Sequence, residues 1–173
     1  MACMSGKCVN SQCVNVVFVS SVALPIAGLS VAVVNAECQT LATAAGLPRP
    51  SSYKAWFSDN MGNSPSIRFV QSASPYALLD GTVVANNWAD LIDGTLAAPI
   101  AIDQNATPLV GVTVFTGTKA DGTAGNTCIG WTSVMIGDTY DDGSNSFADS
   151  KWTQNAAVTC DVMAARRVYC FEQ

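Results

Sequence analysis

The sequence predicts an α+β domain in which short strands and loops outnumber helix. Three observations point there. Runs of β-branched and aromatic residues are short and are broken by Gly, Asp, Ser and Asn clusters that favour turns. Only one stretch, residues 35–46, has both helical composition and helical length. Seven cysteines stand in a chain without histidine, so disulfides are the leading use of cysteine and part of the stability is expected from them. At 173 residues the chain suits one domain, or one domain with a short appendage.

In chain order, residues 1–14 read as a cysteine-rich leader, with Cys3, Cys8 and Cys13 at five-residue steps and turn-forming Gly, Ser and Asn between them. Three cysteines cannot all pair within the segment, which leaves one for a distant partner, another subunit or a free thiol. Residues 15–173 are expected to form the domain itself. Residues 15–21, Asn-Val-Val-Phe-Val-Ser-Ser, read as a buried strand. Residues 14–36 carry no charge, follow Lys7 and end in the A-x-A-like Val34-Asn35-Ala36, so a signal peptide or membrane span must be weighed. Asn15, Ser20, Ser21, Pro25, Gly28, Ser30 and Asn35 interrupt the run too often for a span.

Residues 35–46 predict a helix capped by Asn35 and stopped by Gly46 and Pro48, with Cys38, Leu41, Ala42 and Ala45 on one face. Residues 53–58 predict a short strand. Residues 76–84 predict a strand and a turn at Asp80-Gly81, and residues 87–91 one helical turn ended by Asp93-Gly94. Residues 110–116 alternate as a strand should, and 128–134 and 166–171 read as the last core strands. Asp-Gly-Thr recurs at 80, 93 and 121, which is turn chemistry at irregular spacing, not a repeat. Residues 137–150 read as a long polar loop carrying Asp138, Asp141, Asp142 and Asp149.

Only 12% of residues are charged, so the surface is built mainly from Ser, Thr, Asn, Gly and Ala, a composition that suits extracellular or self-associating proteins. The net charge of −5 argues against nucleic acid, heparin-like polyanions and anionic membranes as partners. The basic residues are scattered, and Arg166-Arg167 is their one adjacent pair. The lack of histidine excludes His-based triads and His-ligated zinc, and no two close C-x-x-C pairs exist for a cysteine-only zinc site. No cofactor is expected. Beyond the leader, Cys38, Cys128, Cys160 and Cys170 allow three pairings, of which a nested one would tie the early helix to the final strand.

Six segments in order carry a resemblance. They are Phe-Val-Ser-Ser at 18–21, Ala-Glu-Cys-Gln-Thr-Leu-Ala at 36–42 and Tyr-Lys-Ala-Trp-Phe-Ser-Asp at 53–59. There follow Tyr-Ala-Leu-Leu-Asp-Gly-Thr-Val-Val-Ala-Asn-Asn-Trp-Ala-Asp-Leu at 76–91, Thr-Cys-Ile-Gly-Trp-Thr-Ser at 127–133 and Arg-Val-Tyr-Cys-Phe-Glu at 167–172. Together with the four cysteines in register they resemble endostatin, and still more the endostatin-like domains of bacterial surface lipoproteins. The resemblance covers about residues 16–173. It implies a C-type-lectin-like fold, the nested disulfides Cys38–Cys170 and Cys128–Cys160, and an adhesion module that binds extracellular macromolecules. The chain departs from the family in lacking endostatin's N-terminal zinc histidines and its heparin-binding arginine cluster. The calcium-dependent sugar motifs of true C-type lectins are also absent, and residues 22–34 are more apolar than the bacterial pattern.

Four candidate features remain. The acidic residues Asp138, Asp141 and Asp142 could ligate Ca²⁺, although the D-x-[DN]-x-[DN]-G spacing is absent and a solvated loop is the simpler reading. Trp56, Trp88 and Trp131 lie in core-like motifs, whereas Trp152 follows the polar loop and is the expected exposed contact. The acidic residues show no catalytic motif, so a non-enzymatic protein is expected. The apolar Val22, Leu24, Ile26, Leu29, Val31 and Val33 are a candidate self-association patch. Two functions follow as expectations: an extracellular or outer-surface binding module for a protein or glycan, and a self-assembling subunit that uses residues 22–34 and the leader cysteines.

Overall fold

The computed structural model describes residues 7–9, 11–161 and 163–173. A hairpin of β1 (Cys8–Val9) and β2 (Gln12–Cys13) leads into β3 (Asn15–Val19), β4 (Leu24–Pro25) and helix α1 (Val31–Ala44). Then come β5 (Lys54–Ala55), α2 (Pro65–Arg68), β6 (Tyr76–Ala77), β7 (Val83–Ala85), α3 (Trp88–Leu91) and β8 (Thr113–Phe115). The chain finishes with β9 (Thr139–Ser144), β10 (Ala156–Thr159), β11 (Ala165–Arg166) and β12 (Tyr169–Phe171). The architecture is mixed α+β, with mostly sheet and one main helix.

Val16, Val17, Phe18 and Val19 of β3 are all buried, because this strand is covered on both faces and so reads as a continuous apolar run. It lies at the centre of a five-stranded sheet of order β5-β12-β3-β6-β7. Cys170 of β12 stands opposite Phe18, antiparallel, while Asn15 pairs in parallel with Tyr76 of β6. A second, antiparallel sheet runs β10-β9-β8; β11 pairs with β4 in a separate two-stranded sheet, and Arg167, just after β11, bridges in parallel to Val114 of β8. One core cluster gathers Phe18, Tyr53, Phe57, Trp131 and Tyr140 under α1, and the other gathers Trp56, Trp88, Trp152, Tyr169 and Phe171.

Helix α1 begins before the position read from sequence. Ser30 is its cap, its Oγ accepting from Val33 N at 3.2 Å. Asn35 sits inside the helix, where its Oδ1 accepts from Ala55 N at 2.9 Å and ties α1 to β5. Val34, Cys38, Leu41 and Ala42 form the buried stripe at helical spacing. The helix ends as expected: Gly46 takes φ +66°, its N–H reaches Thr43 O, and Leu47 N reaches Ala42 O. The three Asp-Gly-Thr turns also form, with Asp80, Asp93 and Asp121 each accepting from the Thr N–H two residues on at 2.9 Å.

Two nested disulfides close the domain: Cys38–Cys170, spanning 132 residues and linking α1 to β12, and Cys128–Cys160, spanning 32. These are the nested pairs that the resemblance implies. Cys8 and Cys13 are also disulfide-bonded, and Cys3 lies outside the described residues.

Three further sequence expectations fail. Residues 128–134 are not a strand; Cys128–Trp131 is a tight turn with φ of +49°, +53°, +67° and +68°. Residues 137–150 are not a loop throughout, because Thr139–Ser144 forms β9, buried along most of its length. The apolar stretch 22–34 is not one surface: of its six large apolar candidates, Ile26 and Leu29 enter the core, Leu24 and Val31 are half-buried against it, and Val22 and Val33 are exposed. Leu24 pairs with Arg166 as a strand residue, which turns Ala23 and Pro25 to the face opposite its own. Among the described residues no helix is long and apolar enough to cross a membrane.

Candidate functional site

The groups most often used for chemistry or sugar binding are spent inside the fold. All four tryptophans, all four tyrosines and five of the six phenylalanines are buried. Phe147 alone is exposed, and Lys151 Nζ sits 5.1 Å from its ring. Trp152 therefore contradicts its expected exposure. Asp149 caps the 3₁₀ turn Ser150–Trp152, and that turn swings the indole inward, 4.8 Å from Trp56 and 5.7 Å from Tyr169.

All eleven aspartates accept hydrogen bonds from the protein. Asp59, Asp80, Asp93, Asp103, Asp121, Asp149 and Asp161 each take the backbone N–H two residues on. Asp90 takes Asn86. The calcium candidates are engaged in the same way. Asp138 accepts from Ser133 Oγ, Asp141 from Asn126 and Gln154, and Asp142 from Asn155 and the Ala156 N–H. Asp141 and Asp142 are buried in β9, not solvated in a loop, and no group of three or more His, Cys, Asp or Glu among the described residues could hold a metal. Burial pushes the Asp142 carboxyl above its ordinary pKa, against the pull of Asn155, the Ala156 N–H and Arg166.

The unusual surface lies elsewhere, around the Cys128–Trp131 turn. Four successive residues there adopt left-handed backbone, and three of them are not glycine. Left-handed backbone costs L-residues roughly 1–2 kcal/mol each, and a β-branched residue such as Ile129 is a genuine outlier there. The surroundings over-determine it. Cys128 is anchored to Cys160, Trp131 stacks on Phe57 at 4.4 Å, and Trp131 Nε1 donates to Ser58 O at 2.7 Å. Thr127 Oγ1 accepts from Gly130 N, and Thr132 Oγ1 donates to Ile129 O at 2.7 Å. Gly130, at φ +67°, lets Asn60 lie close: a Cβ there would stand 2.2 Å from Asn60 Oδ1 and push that side chain aside.

The strained turn holds apolar side chains out. Ile129 is 59% exposed, and the loop that follows shows Val134, Met135 at 71% and Ile136 at 81%. Two neighbouring segments add methionines, each 82% exposed. Met61 projects from the turn in which Asp59 Oδ1 accepts the Met61 and Asn63 N–H groups, next to the Asn60 that abuts Gly130. Met163 follows Cys160, whose disulfide and N–H to Asp138 O clamp it to the loop. Sequence reading placed residues 128–134 in the core and missed this end. The one available signal was the run Val134-Met135-Ile136 set between Ser133 and Gly137, too short for a core strand and flanked by turn residues.

Comparison with protein-family models and with curated proteins finds no match.

Proposed function

We propose that this chain is a non-enzymatic binding module of the endostatin-like, C-type-lectin-like kind, displayed outside the cell or on a bacterial outer surface. We place its contact surface at the apolar end made by Ile129, Val134, Met135, Ile136, Met61 and Met163. The observation that carries the reading is this cluster of exposed aliphatic side chains on a strained, disulfide-anchored turn. Strain of this kind gathers at functional sites, and methionine-bearing surfaces adapt to partners. The six family-like segments and the two disulfides support the fold and the oxidising compartment. The commitment of every aspartate to internal hydrogen bonds supports a role without catalysis.

The chemistry of the surface favours a protein partner. Glycans are gripped by exposed aromatic faces, and here the aromatics are buried apart from Phe147. A flexible aliphatic patch fits an apolar patch on another protein. The test is binding to a panel of extracellular matrix and cell-surface proteins, comparing wild type with a Met135→Asp, Ile136→Asp double variant. Each aliphatic chain buried at an interface is worth roughly 1.5–3 kcal/mol, so at least a tenfold loss of affinity is expected with an unchanged melting temperature. Equal binding by both proteins would refute the assignment of the surface.

The alternative, a self-assembling subunit using residues 22–34 and the N-terminal cysteines, retains the exposed Val22 and Val33. The same two samples run on size exclusion with and without reductant decide it. A wild-type monomer in both conditions removes this reading.

A further inference from the structure

The chain carries one Asn-x-Ser/Thr acceptor pattern, Asn105-Ala106-Thr107, with alanine at the middle position where proline would block transfer. Asp103 stands two places before the asparagine and extends the pattern to Asp-x-Asn-x-Thr, the form that bacterial oligosaccharyltransferases read. Such patterns also arise by chance, so the place of this one in the fold decides its meaning.

The pattern occupies the tip of a small hairpin between α3 and β8. Leu109 N reaches Ala101 O, Ile102 bridges Pro108, and Asp103 N reaches Thr107 O. Asp103 and Gln104 are buried and fasten the tip to the body. Asp103 Oδ1 accepts the N–H groups of Asn105 and Thr107 at 2.8 and 2.9 Å. Gln104 Oε1 accepts Ser21 N, and its Nε2 donates to Ser21 Oγ. Beyond these anchors Asn105, Ala106, Thr107 and Pro108 are all exposed.

The asparagine amide at this tip is held back from the fold. Asn63, Asn86, Asn126, Asn145 and Asn155 each donate their side-chain amide to a neighbour. Asn105 is tied down through its backbone N–H, and among the described residues nothing competes for its Nδ2.

We propose that Asn105 is a site of N-linked glycosylation, taking an oligosaccharide from a polyisoprenyl-pyrophosphate donor outside the cytoplasm. The bond from Asn105 Nδ2 to the sugar C1 forms as the C1–O bond to the pyrophosphate breaks. The lipid pyrophosphate leaves with the electron pair, and one amide proton passes to a base of the transferase. The proposal rests on the extracellular reading for access to that enzyme, and its residues are separate from the apolar end. A glycan here hydrates a surface in which only 12% of residues are charged.

The test is transfer in vitro by a bacterial oligosaccharyltransferase supplied with a polyisoprenyl-pyrophosphate-linked oligosaccharide. The acceptor is the purified full chain, folded and, in parallel, reduced and unfolded. Mass spectrometry is expected to show one added oligosaccharide, on the peptide that contains Asn105. Asn105→Gln should abolish the addition and Thr107→Ala should slow it at least tenfold, both with an unchanged melting temperature. No transfer to wild type in either form would overturn the proposal, as would addition that persists in Asn105→Gln. The purified chain needs no export, so that failure leaves the outer-surface reading standing; recovery of the protein from the cytoplasm alone would overturn both.

Discussion

Asp142 is a carboxyl held largely out of water. It sits in β9 beside Asp141, and burial raises its pKa above the ordinary carboxylate value of 3.8. The folded state therefore holds its proton more tightly than the unfolded state. The associated stability is complete below the unfolded pKa and is lost as pH rises through the folded one. Buried Glu172 has the same sign despite Arg49 and the Val16 N–H. Asp121 and Asp59 have the opposite sign. Thr123 lowers the first, and Asn63 and the Met61 N–H outweigh burial at the second, so their contributions are lost on acidification. Asp142→Asn isolates one member of this set, because its Oδ1 can still accept from Asn155 and Ala156 N. Thermal melts from about pH 4 to about pH 7 should show the variant gaining on wild type as pH rises. Parallel curves would show that Asp142 does not couple to stability.

At the scale of elements, legibility followed chemistry that is local in sequence. The Asp-Gly-Thr turns, the Asn87 cap of α3 and the Gly46 stop of α1 could be read because a few adjacent residues decide each one. Strand β9 could not. Tyr140-Asp141-Asp142-Gly143-Ser144 lacks apolar alternation, since its carboxylates are satisfied by Asn126, Gln154 and Asn155 from distant loops. Nor could the Cys128–Trp131 turn, because no L-residue advertises a positive φ; its disulfide and the Phe57 stack impose it. Ser30 is hard to read as a cap because the β-branched Val31, Val33 and Val34 that follow it are weak helix formers. Strand β9 also sets a sharp steric test. A Cβ on Gly143 would lie 2.2 Å from the Trp152 carbonyl oxygen, which is backbone and cannot turn aside. Gly143→Ala should cost about 3 kcal/mol or more in urea unfolding, the upper end of overpacking. Gly137→Ala, with open space at its Cβ, should stay within about 0.5 kcal/mol of wild type. A neutral Gly143→Ala would mean that β9 and Ser150–Trp152 are not packed this closely.

Across the whole molecule the nested disulfides divide the labour. The loop closed by Cys38–Cys170 spans 132 residues and that closed by Cys128–Cys160 spans 32. Chain entropy assigns them about 5 and about 4 kcal/mol. Replacing each pair by Ala should lower global stability in that order. Only the second replacement should speed hydrogen exchange at residues 129–137, since that bridge holds the left-handed turn. Equal exchange in both variants would show that the Trp131 stack alone suffices. The order of the central sheet has a further consequence. β12 inserts between β3 and β5, so the sheet stays split until the chain through Phe171 has been made. Closure of the sheet thereby waits for its last strand in chain order. Until β12 arrives the facing edges of β3 and β5 stay unpaired and Cys38 waits for Cys170, so strand and disulfide close the sheet in one event.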